Sequence, residues 1–166
     1  PQTFLPAGRL VTAQDIVTAF KRQAFVPTQG KGWWLFEKRI QGLDAWRDQV
    51  KNDMEAFYKT PISGFETPDA HTLVIRLTQP FPQLMYSLAM SFTSPIPEEA
   101  VRHLNNDFGR VMVGTGPFVL KDFNPTQQAI FERFADYKTS TYPTQGDRFA
   151  NEQGMLADAG KRLPLV

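Results

Sequence analysis

The spacing of apolar residues changes along the chain, and this change restricts the fold more than any other feature of the sequence. Helical spacing is seen first, in Ala13, Ile16, Val17, Phe20 and Ala24. Farther on, Leu73, Ile75 and Leu77 alternate with other side chains in a β-branched run, which is the spacing of a strand. Stretches of both kinds follow one another, so the sequence predicts an α+β fold in which helices pack with antiparallel hairpins, rather than a doubly wound parallel sheet.

The first predicted helix covers residues 13–23 and has a capping arrangement before it, in which Thr12 is followed by Asp15. A second helix is predicted over residues 45–58, because its apolar residues recur at intervals of four, four and three. Shorter helices are predicted around residues 84–88 and over residues 97–105.

Strands are predicted in pairs. Residues 62–66 are expected to pair with residues 72–77, and residues 118–123 with residues 128–134 across a turn at 124–126. The glycines Gly114 and Gly116 precede the second pair, but Pro117 and an extended run follow them instead of a helix. This segment is therefore predicted to be a structural turn and not a phosphate-binding loop.

The composition excludes several kinds of site. The 166 residues contain no Cys and 2 His, which rules out disulfides, cysteine zinc sites, iron–sulfur clusters and cysteine nucleophiles. The formal net charge of +1 gives no reason to expect a nucleic-acid partner. Since the two histidines lie far apart and no activated serine motif is present, we expect no catalytic residues, metal or cofactor, and binding is favoured over turnover.

Aromatic residues are abundant, with 14 Phe, 4 Tyr and 3 Trp, and such side chains line ligand clefts as well as cores. Trp33 and Trp34 follow a glycine-containing loop at residues 30–32, so one ring can face the core and the other a ligand or a partner. The alternative is that both rings belong to the core or its edge. The proline-bounded segment at residues 90–97 is a second candidate lining.

Several of these segments occur in the order found in a known family. The relevant stretches are Gly8–Val17, Asp69–Pro80, Ser94–Pro97, Val113–Leu120 and Glu132–Tyr137. Together they resemble the extracytoplasmic solute-binding proteins of the peptide/nickel class, family 5, that serve ATP-binding-cassette (ABC) importers. The chain departs from the family's common pattern at Phe118, where Tyr is usual, and at Pro6, Ala7, Leu10 and Lys138.

The resemblance implies a two-lobed, periplasmic-binding-protein-like fold of class II, peptide-binding type. Residues 1–137 would form a subdomain of the first lobe, and residues 138–166 a polar, turn-rich tail that leads toward the remainder. Because the chain starts without Met and ends as an apolar run begins, we expect it to be a piece of a longer protein. Its apolar runs are too short to span a membrane or to direct export.

The resemblance also implies a function: non-enzymatic capture of oligopeptides or similar solutes outside the cytoplasmic membrane, in the periplasm or at the cell surface. The implied partners are the solute, the ABC permease subunits and the missing second lobe. The implied cleft residues are Lys31, Gly32, Trp33, Met90, Ser91 and Phe92, with Trp33 the best single candidate. Most groups that fix peptide termini would come from the other lobe, so the chain alone would bind weakly.

Two other interpretations remain at this stage. One is a free-standing interaction domain that grips a protein partner with the Trp33–Trp34 face, and the other, less favoured, is a fragment of a hydrolase. The reading frame of the parent protein distinguishes them, because a solute-binding protein has an export signal upstream and several hundred further residues downstream.

Overall fold

The structure is a computed structural model that describes residues 9–104, 108, 111–135, 137, 141–146, 154 and 156–161. It divides into two compact units, Pro1–Asn105 and Asn106–Val166, and each is considered by itself. Gly8, which begins the first family-like stretch, and Asp136, inside the last one, lie outside the described residues, as does much of the predicted tail. The predicted division after residue 137 concerns the parent protein and stays a prediction.

The first unit contains every α-helix of the described residues and the first hairpin. Its helices are α1 (Ala13–Ala24), α2 (Leu43–Val50), α3 (Met54–Lys59), α4 (Leu84–Leu88) and α5 (Glu98–Leu104). Its strands are β1 (Phe65–Asp69) and β2 (Thr72–Ile75), and short 3-10 turns occur at Val26–Thr28, Trp33–Leu35 and Ser91–Thr93. Helices interleaved with antiparallel hairpins confirm the predicted α+β class.

Helix α1 begins where the capping pattern predicts, and its first turn is tied to α5. The backbone N–H of Thr12 donates to Asp15 Oδ2 at 2.8 Å. The Arg9 guanidinium donates to both oxygens of Asp15, at 2.6 and 2.9 Å, and to Glu99 of α5 at 2.5 Å. The peptide N–H of Ile96 donates to the Asp15 carbonyl at 3.0 Å. Arg9, Asp15 and Glu99 therefore form a clamp, named here the Arg9 clamp, that holds the entry of α1 against α5.

The predicted second helix is in fact two helices, so the expectation of one helix over residues 45–58 is wrong. Helix α2 starts earlier, after Gly42 in a left-handed conformation, and ends before Lys51, whose φ is 49°. Asp53 then starts α3, because its Oδ1 accepts from the N–H groups of Glu55 and Ala56 at 2.8 and 3.0 Å. The helical spacing of apolar residues continues across the break between α2 and α3. The start of α3 is set by the capping hydrogen bonds to Asp53.

The first hairpin pairs as predicted, with its boundaries shifted. Strands β1 and β2 are antiparallel, with Phe65 opposite Ile75, and β1 runs on through Pro68 to Asp69. Strand β1 therefore extends past residue 66, where its end was predicted. The turn follows at residues 70–71, where the N–H of His71 donates to Asp69 Oδ1 at 2.7 Å.

Aromatic rings fill the core of the first unit. Its cluster consists of Phe20, Ala24, Phe25, Leu35, Phe36, Ile40, Leu43, Trp46, Val50, Phe57 and Ile62. Phe57 is central, with edge-on rings at 5.1 Å for Phe25 and 5.7 Å for Trp46, measured between centroids. Such pairs add to the stabilisation that burial provides. Part of the aromatic surplus of the sequence is therefore accounted for by this core.

The second unit contains the second predicted hairpin. Strands β3 (Phe118–Asn124) and β4 (Gln128–Arg133) pair antiparallel, and the turn between them is closed by the Gln127 N–H donating to Asn124 O at 3.1 Å. The predicted hairpin is confirmed. This hairpin leaves large apolar side chains exposed, among them Phe123 and Phe131.

Candidate functional site

The sequence indicated two separate cleft segments, at residues 31–33 and 90–92. In the structure these segments meet. Gln23, at the end of α1, joins them with its side-chain amide. Its Oε1 accepts from the Gly32 N–H at 3.0 Å, and its Nε2 donates to the Phe92 carbonyl at 3.2 Å. We call this arrangement the Gln23 junction. One amide thus fixes both backbone segments to the same helix end.

Glycine is required in the loop because its neighbours come very close. A Cβ atom at Gly32 would lie 2.4 Å from Cγ of Phe92, and one at Gly30 would lie 2.4 Å from the Gln23 carbonyl oxygen. Both distances are far below van der Waals contact, so no other residue fits without displacement of the neighbour. The loop therefore approaches α1 and Phe92 as closely as its backbone permits.

The six predicted cleft residues differ in how much of them reaches the surface. Lys31 and Ser91 are exposed, Met90 is 44% exposed, and Gly32 is buried. Phe92 is half-buried and packs against the core cluster. The junction thus has a fixed base and presents an ammonium group, a hydroxyl and a thioether on its outer side.

The two adjacent tryptophans occupy different environments. Trp33 is half-buried, packs on the core cluster, and carries the Arg47 guanidinium carbon 4.7 Å from its ring centroid. Arg47 is itself held by a hydrogen bond to the Ala24 carbonyl. Trp34 is 65% exposed. The pair therefore divides as the sequence suggested, but the ring most open to a ligand belongs to Trp34.

Trp33 also lines a cavity of about 590 Å3 together with Asp44, Arg47, Asp48 and Thr78. The cavity wall combines the Trp33 ring with three carboxylates, from Glu37, Asp44 and Asp48, and two cations, from Lys38 and Arg47. It can accept a polar group of either charge beside an aromatic surface.

Gln23 and Arg47 are site residues that the sequence analysis did not identify. Gln23 is the last residue of the predicted helix, and its partner Phe92 lies 69 positions away. The one sequence feature that could have indicated Gln23 is its place as a polar residue at a helix end, shortly before a glycine-containing loop. Arg47 lay inside the predicted second helix without any distinguishing pattern.

The other residues of the predicted motifs take part in helix capping or lie beside the second hairpin. Thr12 and Asp15 belong to the capping network at the start of α1. Gly114, Gly116 and Pro117 precede β3 in the second unit, and a Cβ at either glycine would meet nothing within 4 Å. Pro117 O accepts from the Phe134 N–H at 2.8 Å, which closes the open end of the hairpin.

The described part of the chain has neither a cluster of metal ligands nor a membrane-spanning helix. No group of three or more His, Asp or Glu side chains there is arranged to hold a metal ion. Within the same residues, no helix is long and apolar enough to cross a membrane.

Comparison with known families gives one assignment. The model of the bacterial extracellular solute-binding proteins, family 5 (middle), matches residues 8–153. This match covers most of the chain, including both segments of the Gln23 junction and the hairpin of β3 and β4.

Individual relatives agree with the family match. The periplasmic oligopeptide-binding protein OppA of Escherichia coli K12 is 28% identical over 135 residues, which cover 78% of this chain and 23% of that protein. The glutathione-binding protein GsiB of Salmonella typhimurium LT2 is 36% identical over 76 residues, covering 46% of this chain and 15% of that protein. The chain thus spans about a quarter or less of these relatives.

Solved structures show the same fold. The substrate-binding domain of an oligopeptide ABC transporter from Bacillus anthracis superposes with a TM-score of 0.62 at 25% identity. The match covers 78% of this chain and 24% of that structure.

Proposed function

The chain belongs to the bacterial extracellular solute-binding proteins, family 5, and we propose that it is part of the substrate-binding component of an ABC transporter. The parent protein would capture oligopeptides or similar solutes outside the cytoplasmic membrane, in the periplasm or at the cell surface, and pass them to permease subunits. It would do so without chemical turnover. The names of the oligopeptide-binding relatives support peptide as the solute class.

The observation that carries this proposal is the Gln23 junction. Two segments that the family resemblance places at the ligand cleft lie far apart in the sequence, yet the Gln23 amide holds both. A pre-positioned surface of this kind reduces the ordering cost of binding. We propose that Lys31, Met90 and Ser91 face the solute, with Trp34 beside them and Phe92 as the fixed base.

In the parent protein, residues 1–137 would form a subdomain of the first lobe and residues 138–166 would lead toward the remainder. The second lobe would supply most of the groups that fix peptide termini. The isolated chain offers only one side of the cleft, so it would bind a peptide weakly or not at all.

Gly32→Ala in the parent protein tests the junction. The added methyl group must displace Phe92, because the ideal Cβ position lies 2.4 Å from its Cγ. We expect stability to fall by about 1–3 kcal/mol and the affinity for a peptide mixture to fall about tenfold, which equals about 1.4 kcal/mol. Isothermal calorimetry gives the affinity, and thermal unfolding gives the stability.

The matched control is Gly114→Ala, whose added Cβ meets nothing within 4 Å in this chain. It should leave both affinity and unfolding temperature unchanged. Peptide binding by Gly32→Ala at the affinity of the unmodified parent would contradict the placement of the junction at the cleft. Failure of the unmodified parent to bind any peptide would contradict the proposed solute.

A further inference from the structure

A second, smaller cavity lies on another side of the first unit. It has a volume of about 260 Å3 and is bordered by α1, the end of α3 with the loop after it, and β1. Its polar lining comes from Gln14, Lys21, Tyr58, Lys59, Thr60 and Thr67. The lining contains two lysines and no acidic residue, and it shares no residue with the Gln23 junction.

Lys21 is the unusual member of this lining, because its side chain is almost entirely buried. Only 4% of the residue is exposed. Its Nζ donates to the Phe57 carbonyl at 3.0 Å, near the C-terminus of α3, and lies 5.7 Å from the Trp46 ring centroid. An ammonium group has three N–H donors, so the Phe57 carbonyl satisfies one of them.

No carboxylate of the described residues pairs directly with Lys21. The acid that acts on it through space is Glu98, and Glu98 is already engaged by Arg102, with hydrogen bonds of 3.0 and 2.8 Å. Burial lowers the pKa of Lys21, which is the direction expected for an ammonium group that lacks a close counter-ion. A buried positive charge without a partner is costly, and an anion beside it offsets part of that cost.

The other polar groups of the cavity suit the same kind of ligand. The Tyr58 hydroxyl oxygen is buried and has no hydrogen-bond partner among the described residues. Burial raises the pKa of Tyr58, so the hydroxyl keeps its proton and can donate it. Lys59 is at the exposed rim, where it pairs with Glu55 at 2.6 Å and leaves Lys21 as the principal charge.

We propose that this cavity binds a small carboxylate, with the Lys21 ammonium as its main partner. The cavity volume of about 260 Å3 is well above the minimum of about 15 Å3 that one water molecule needs, so it accommodates an anion such as acetate. The site goes beyond the capture of solute at the Gln23 junction, because it is built from different residues.

The test uses the 166-residue chain with 13C-labelled lysine and follows the Lys21 side-chain resonances by NMR. Sodium acetate replaces sodium chloride at constant ionic strength, so that only the identity of the anion changes. We expect a shift of the Lys21 Cε and Hε signals that saturates in the millimolar range. The signals of Lys59 should move much less, since that ammonium is exposed and already paired.

Two variants complete the experiment. Lys21→Met keeps the length of the side chain and should abolish saturable binding, as monitored by backbone amide shifts of residues around the cavity. Lys59→Met is the matched control and should retain it within twofold. A Lys21 shift that grows linearly without saturation, or acetate binding that survives in Lys21→Met, would overturn the proposal. If Lys21→Met does not fold, the direct Lys21 signal of the unmodified chain still decides.

Discussion

Asp15→Ala is expected to lower the free energy of unfolding of the chain by about 3 kcal/mol, the range for breaking a buried ion pair. The Asp15 side chain is 3% exposed and accepts both bonds of the Arg9 fork. Its removal also frees the Thr12 N–H at the start of α1. Denaturant unfolding followed by tryptophan fluorescence measures the loss, because Trp33, Trp34 and Trp46 all belong to the first unit.

The Asp15 carboxyl group also makes the stability of the chain depend on pH, with stability decreasing as the pH is lowered. Burial alone would raise the pKa of Asp15, but the hydrogen bonds from Arg9 and Thr12 outweigh it and lower the pKa. The stabilisation by the Asp15 carboxylate is therefore fully present above its unfolded-state pKa of about 3.9. It is lost as the pH falls through the lower pKa of the folded state. Asp15→Ala should show a smaller loss of stability between neutral pH and pH 3 than the unmodified chain.

Glu66→Gln is the matched control for the Arg9 clamp. Glu66 pairs with Arg76 at 2.8 Å, but both side chains are about half exposed. Surface pairs of this kind contribute less than about 1 kcal/mol. Equal losses for Asp15→Ala and Glu66→Gln would contradict a structural clamp at the entry of α1.

Phe57→Ala is expected to cost about 4 kcal/mol, because a buried aromatic ring is removed and the cavity it leaves closes only in part. Phe57 is 1% exposed and contacts the rings of Phe25, Trp46 and Tyr58. The midpoint of denaturant unfolding, again followed by tryptophan fluorescence, should shift accordingly. Phe92, the base of the Gln23 junction, packs against the same core cluster. We therefore expect the truncation to loosen the packing of Phe92 as well.

Phe131→Ala provides the comparison for the Phe57 variant. This ring lies on β4 of the second unit and is 49% exposed, so its truncation in the 166-residue chain should change tryptophan-detected unfolding by less than about 0.5 kcal/mol. A loss for Phe57→Ala as small as that for Phe131→Ala would contradict a core centred on Phe57.

Elements with strong local signals could be predicted from the sequence. Helix α1 has a cap, an apolar stripe and cations near its end, and the hairpin of β3 and β4 has a turn between two extended runs. The break between α2 and α3 was missed because the apolar period continues through it. There the hydrogen bonds of Asp53 decide, and they do not alter the hydrophobic pattern.

The candidate site could be predicted only in part. The family resemblance indicated residues 31–33 and 90–92, whereas the bond from Gln23 to Phe92 spans 69 positions and leaves no local pattern. Likewise, the resemblance favoured Trp33 over Trp34 as the cleft-facing ring, but no local pattern shows which of the two rings reaches the surface. Packing decides between them, because Arg47 covers the ring of Trp33 and leaves Trp34 at the surface.

Hydrogen exchange on the full-length parent protein tests the central proposal most directly. Amide exchange would be measured by mass spectrometry with and without a saturating peptide mixture, and resolved over peptides that contain residues 30–34 and 90–93. Solute capture at the Gln23 junction predicts that both segments exchange at least about tenfold more slowly with peptide, while the β3–β4 turn at residues 125–127 is unchanged. Peptide binding without protection of either segment would contradict it.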